Sequence, residues 1–242
     1  MPERDTSAPA YVIRHLGRTD YRATWEAMQR FTDARGPASA DELWLTEHPP
    51  VYTLGLAGRR EHLLRGNGIE VIKVDRGGQV TYHGPGQLVA YTLVDLRRAH
   101  LGIREMVRRL ESAVIAWLRA HGIAAWGKVE APGVYVGGGA ATAGLASGEA
   151  KIAALGLKVR RHCTYHGLSV NIAMDLAPFA DIDPCGYPGL AVTDLARLGV
   201  QRTVAQAAEE IAPHLVEALS TGGGREAGGR VAMLELPVQH LP

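Results

Sequence analysis

The chain has 242 residues, of which 46% are apolar and 21% charged, and a formal net charge of +1. That length suits one large domain or two small ones. The charge balance gives no global case for nucleic acid or a membrane surface as partner. No apolar run reaches membrane-spanning length, and residues 1–10 lack the apolar stretch of a secretion signal. A cytoplasmic protein with a disordered tail over residues 1–10 is expected.

In chain order, the first periodic segment is helical. Asp20 can cap it, Tyr21, Trp25, Met28 and Phe31 share one face, and Gly36 marks its end. β-favouring runs follow at 42–46, 51–54 and 69–75, and another at 88–93. Ile103, Met106, Val107, Leu110, Val114, Trp117 and Leu118 then form a helical stripe stopped by Gly122. Further strand-like runs lie at 133–136, 151–159 and 168–172. A capping-box pair, Thr203 and Gln206, precedes a third helix bearing Ala207, Ala208, Ile211, Leu215 and Leu219. Pro213 is expected to kink or split that helix.

Strands and helices do not alternate regularly, which favours an α+β fold: a mixed β-sheet core with packed helices, one domain over 11–221. The glycine-rich interval 137–148 reads as a surface loop. A second, 222–229, opens a flexible linker and C-terminal segment running to 242.

Residues 76–87, RGGQVTYHGPGQ, are the most chemically loaded stretch. Glycines that permit close backbone approach are interspersed with an arginine, a histidine, a tyrosine and two glutamines. The stretch reads either as a ligand cradle between two strands or as a glycine-rich hairpin.

The two cysteines, Cys163 and Cys185, make no disulfide framework and no zinc-type pair, so no metal site is expected from them. Cys163 reads by default as a packing residue. Cys185 sits in a turn of prolines and glycines, either incidental or presented as a nucleophile. A nucleophilic thiol needs a base or a lowered pKa; His48, His83, His162, His166 and Lys151 are candidate partners, and spacing does not choose among them. Only Lys73, Lys128, Lys151 and Lys158 stand among 26 basic residues that are otherwise arginine. A lysine retained against that bias suits work that arginine cannot do, because guanidinium does not give up its proton.

Taken together, RGGQVTYHGPGQ at 76–87, KIAALG at 151–156, HGLSVN at 166–171 and PCG at 184–186 resemble the ordered motif set of the lipoyl(octanoyl) transferase family, from about residue 46 to 195. The resemblance implies a fold like that of biotin and lipoate protein ligases. It implies transfer of an octanoyl group from the phosphopantetheine of acyl carrier protein to a lysine of lipoyl domains, in 2-oxoacid dehydrogenase E2 subunits or the glycine cleavage H protein. That is the first step of endogenous protein lipoylation, and it needs neither ATP nor metal. Carried over, the acyl-thioester cysteine is Cys185 and its pKa-lowering partner is Lys151. The substrate-binding positions are Arg76, Gly77, Gly78, Gln79, Val80, Thr81, Tyr82 and His83, then Ala154, Leu155 and Gly156, then Gly167, Leu168 and Ser169.

Two departures stand out: 137–148 is longer than the family's usual connection, and Tyr187 replaces an expected smaller aliphatic residue. Backbone amides of Gly77, Gly78 or Gly186 are the expected oxyanion donors. His83 is expected to orient the acceptor amine or complete a proton path. Arg97, Arg98, Arg104, Arg108 and Arg109, or Lys158, Arg160 and Arg161, are candidate docking patches for acidic partners. The alternatives are an ATP-dependent lipoate or biotin ligase, which needs no nucleophilic cysteine, and a non-catalytic binder of either partner protein.

Overall fold

Strand β1 (Tyr11–Arg18) runs into helix α1 (Tyr21–Ala34) and returns as β2 (Asp41–Glu47), which pairs parallel with β1. Asp20 caps α1, its carboxylate accepting the Ala23 N–H at 2.9 Å. In this computed structural model the described residues are 11–137, 148–183, 190–220 and 231–235. The next elements are β3 (Val51–Leu54), β4 (Val71–Lys73), β5 (Val80–His83) and β6 (Gln87–Leu93). Helix α2 (Ile103–Ala120) precedes β7 (Ala125–Gly127), β8 (Gly133–Gly137), β9 (Glu149–Arg160) and β10 (Cys163–Asn171), and α3 (Val204–Ser220) precedes β11 (Val231–Glu235). One eight-stranded sheet has the order β11-β1-β2-β6-β10-β9-β8-β7, parallel at β11-β1-β2 and antiparallel beyond. A second sheet, β4-β3-β5, is also mixed.

Both faces of the large sheet are covered, so its central strands β2, β6 and β10 are buried along nearly their whole length, polar residues included. On β6, Leu88 and Ala90 enter the core beneath α2 and α3, while Val89, Tyr91 and Leu93 pack towards α1. Leu43 and Leu45 of β2 face the first core, and Trp44 between them faces the second. The small sheet adds a third cluster, in which Tyr52, Leu54, Val80 and Tyr82 pack on Met174, Leu176 and Phe179. Among the described residues no helix is long and apolar enough to cross a membrane.

The α+β mixed-sheet architecture matches the expectation; several details differ. The α2 stripe is buried at Met106, Leu110, Val114, Trp117 and Leu118, but Val107 is half-buried and Ile103 at its start is exposed. Helix α3 keeps its capping box, with Thr203 N–H to Gln206 Oε1 at 2.9 Å and the reverse bond at 3.2 Å. It runs unbroken through Pro213, which lies on the solvent face with Glu209, whose carbonyl is thus left to water. Strand β11 adds an edge to the main sheet, so the domain boundary drawn at 221 leaves out one of its strands. The expected tail 1–10, most of the 137–148 loop, the linker 222–230 and residues 236–242 lie outside the described residues.

Candidate active site

The stretch 76–87 is neither a free loop nor a simple hairpin. Residues 76–79 bend over the end of β3, residues 80–83 are β5, and a short turn leads into β6. Between this wall and strands β6, β9 and β10 lies a cavity open to solvent. It gathers most of the expected positions: Arg76, Gly78, Gln79, Val80, Thr81 and His83 from one side, Lys151, Ala154, Leu155, Gly156, Gly167, Leu168 and Ser169 from the other. Gly77 and Tyr82 do not line it. Tyr82 shares a face of β5 with Val80 and is taken up by packing against Tyr52 and Phe179. The Gly77 N–H is spent on the Leu157 carbonyl at 2.9 Å, which removes it as an oxyanion donor. The Gly78 N–H has no intramolecular acceptor among the described residues.

Arg76 is buried and works on its own chain. Its Nη2 donates to the Thr53 carbonyl at 2.7 Å, Thr53 Oγ1 at 2.8 Å and the Gln79 carbonyl at 2.9 Å, while Nη1 reaches the Gly77 carbonyl at 2.9 Å. It thereby pins the bend to β3. Gly55 and Gly156 make the room: a Cβ at Gly55 would stand 2.5 Å from the Gly78 carbonyl and 2.8 Å from Arg76 Nη1. Gly167 serves the sheet rather than the cavity, because a Cβ there would lie 2.0 Å from the Ala90 carbonyl on β6.

A buried polar layer supports the cavity. His48 bridges the Thr19 carbonyl at 2.8 Å and the Tyr91 hydroxyl at 2.6 Å. Gln87 is oriented by the Tyr82 carbonyl and Asn171, and its Oε1 accepts from His83 Nδ1 at 2.7 Å. Burial pushes His83 down to about 3, helped by nearby His48, and pushes His48 down to about 4. Both are neutral near pH 7. His166 also falls below its ordinary value through burial, against the pull of Asp75. His166 is left-handed, at φ 59°, inside a strand, a costly conformation for a non-glycine residue. Its ring stacks on that of Tyr165, and both reach the Asp75 carboxylate, His166 Nε2 at 2.9 Å, together with Trp25 Nε1 at 3.0 Å. Burial alone would raise Asp75, but these donors hold it below the usual carboxylate range.

Lys151 lines the cavity and is 4% exposed. Its Nζ donates to the Pro132 carbonyl at 3.0 Å and lies 5.3 Å from the Tyr135 ring centroid. Its backbone is strapped to the segment after Cys185, N–H to the Ala191 carbonyl at 2.8 Å and carbonyl to Thr193 N–H at 3.0 Å. The other three lysines are partly or fully exposed.

The chain matches the model for the lipoyl protein ligase A/B catalytic domain over residues 20–216. It belongs to that family. An octanoyltransferase of Chromobacterium violaceum is 58% identical over 210 residues, covering 87% of this chain and 96% of that protein. One of Laribacter hongkongensis is 59% identical over 203 residues, covering 84% and 93%. Among solved structures, a bipartite lipoate protein ligase from Thermoplasma acidophilum, studied with its E2 lipoyl domain, superposes with a TM-score of 0.70 at 16% identity. That match covers 94% of this chain and 87% of the matched ligase chain, and shows the shared fold.

Within this lipoyl protein ligase A/B domain the two thiols separate. Cys163 is buried at the start of β10, away from the cavity, and burial pushes its thiol up. It is a packing residue. Cys185, Gly186 and Tyr187 lie outside the described residues. Several arginines proposed for docking are committed internally: Arg98 to Asp41 at 2.5 Å, Arg109 to Glu105 and the Ala218 carbonyl, Arg160 and Arg161 to Asp33. Gln87 lines the cavity, as the reading of 76–87 as a cradle expected, whereas sequence reasoning missed Tyr21, Tyr91 and Asn171 as cavity residues. The signal available for them was polarity inside or beside apolar runs.

Proposed function

We infer that the protein transfers an octanoyl group from acyl carrier protein to a lysine of a lipoyl domain, with Cys185 as the transient acyl carrier and Lys151 as its proton partner. The observation that carries the reading is identity of 58% and 59%, over most of each chain, to proteins named octanoyltransferases. The ligase alternative has behind it the name of the shared family model and a fold likeness at 16% identity.

The proposed chemistry uses one proton shuttled by one lysine. Lys151 Nζ takes the Cys185 proton, and the thiolate–ammonium pair is favoured by mutual attraction in a cleft that excludes water. The thiolate adds to the octanoyl thioester carbonyl. The phosphopantetheine sulfur departs and takes the proton from Lys151, leaving Cys185 acylated and Lys151 neutral. The lipoyl-domain amine then attacks the Cys185 thioester and gives its proton to Lys151. The amide forms, Cys185 leaves as thiolate, and the starting pair is restored. Chain connectivity supports the pairing, since Ala191, whose carbonyl holds the Lys151 N–H, is only six residues beyond Cys185. The Gly78 amide is available to an oxyanion. Val80 and Val89 offer the acyl tail an apolar wall, and burying seven alkyl carbons supplies on the order of 5 kcal/mol.

Intact-mass measurement after mixing with octanoyl-acyl carrier protein, without ATP, tests this reading. An octanoyl adduct mapping to Cys185 and discharged by a lipoyl domain is expected. An absolute ATP requirement, or no adduct at Cys185, overturns it.

A further inference from the structure

Helix α2 carries two carboxylates. Glu105 sits at the surface between Arg108 and Arg109, whereas Glu111 is 8% exposed on the packed side. Its Oε1 accepts the Gly133 N–H at 2.8 Å. The carbonyl of the same peptide unit, that of Pro132, accepts from Lys151 Nζ at 3.0 Å. A trans peptide directs its N–H and C=O to opposite sides, so one rigid plane bridges Glu111 to Lys151. Hydrogen bonds in such a chain polarise one another. The approach depends on glycine at two places: a Cβ at Gly127 would stand 3.0 Å from Glu111 Oε2, and one at Gly133 would stand 2.2 Å from Lys151 Cε.

We propose that Glu111 is a positioning residue for Lys151, fixing the Pro132–Gly133 peptide so that its carbonyl aims the lysine ammonium into the cavity. Glu111 touches no reacting atom and acts only through that peptide. The inference rests on the reading of Lys151 as proton partner.

The test compares Glu111→Leu, Glu111→Gln and Lys151→Ala in the full chain, with kcat and KM for octanoyl transfer measured where circular dichroism shows each variant folded. Glu111→Leu is expected to lower kcat about tenfold or more while KM for the lipoyl domain stays within about twofold. Glu111→Gln keeps an oxygen for the Gly133 N–H and is expected to recover most of the rate. Should Glu111→Leu not fold, Glu111→Asp withdraws the acceptor by one methylene, with the same loss expected. A folded Glu111→Leu or Glu111→Asp variant with kcat near wild type overturns the proposal, as does equal loss in Glu111→Gln. If Lys151→Ala remains active, the proton-partner reading fails; if it is inactive while Glu111→Leu is unaffected, only the role of Glu111 fails.

Discussion

A Cβ placed on Gly133 would stand 2.2 Å from Cε of Lys151, and 2.8 Å from the Ala153 carbonyl behind it. The backbone there, at φ 152°, also disfavours any residue with a side chain. Gly133→Ala therefore displaces either the lysine or the strand. We expect a stability loss of about 2–3 kcal/mol in thermal unfolding. Turnover of the folded fraction should fall roughly a hundredfold, the usual cost of misplacing a reacting group by an ångström. A stable, fully active alanine variant would remove Lys151 from the chemistry.

Asp75 gathers three donors, Trp25 Nε1, the Tyr165 hydroxyl and His166 Nε2, at the edge of the cavity. Asp75→Asn keeps the shape but removes the charge and sets an amide group against donors. It should cost about 1.5–3 kcal/mol at pH 7 by urea unfolding. The contribution of Asp75 is present above the ordinary carboxylate pKa and is lost as pH falls below it. The gap between wild type and Asp75→Asn should accordingly shrink in acid; a gap that widens would mean the carboxylate is not held ionised by its donors.

The helices were legible because α1, α2 and α3 each carry a period of 3.6 and a clear end signal. Strand β5 was not, since its Val-Thr-Tyr-His sequence is embedded in glycines and reads as turn chemistry. Only pairing of Val51 to His83 and Leu54 to Val80 makes it a strand. Motif positions located the cavity, yet their individual work did not follow from residue type. Arg76 turned out to brace a bend, Tyr82 to pack on Phe179, and Gly167 to admit the Ala90 carbonyl. Glu111 was invisible for a different reason: its value lies in one peptide unit 22 positions away, which no local pattern encodes.

Cys163 provides a control on the thiol chemistry. It is buried, its thiol is pushed up, and it lies away from the cavity. Cys163→Ala should cost no more than about 1 kcal/mol, as expected for losing a small packed side chain. Turnover should remain, and inactivation by iodoacetamide should proceed as in wild type. Loss of activity without loss of stability would shift the nucleophile to Cys163.

His48 and His83 make the protein acid-sensitive well above the carboxylate range. Buried and hydrogen-bonded as neutral rings, they are pushed down to about 4 and about 3, whereas the unfolded chain binds a proton at each near pH 6.5. Above that pH neither state carries the extra protons and stability is at its full value. As pH falls from about 6.5 towards 4, only the unfolded chain takes them up. Each histidine then withdraws about 1.4 kcal/mol of stability per pH unit. Together they remove about 4 kcal/mol by pH 5, a large part of the roughly 5–15 kcal/mol that holds a domain together. Urea midpoints measured from pH 7 to 5 should fall steeply. His48→Gln should start lower at pH 7, having lost the bond to Tyr91 or Thr19, but decline less steeply, with His83 and His166 still contributing. An unchanged slope in that variant would show that His48 takes up its proton without unfolding, and that the buried layer beneath the cavity tolerates charge.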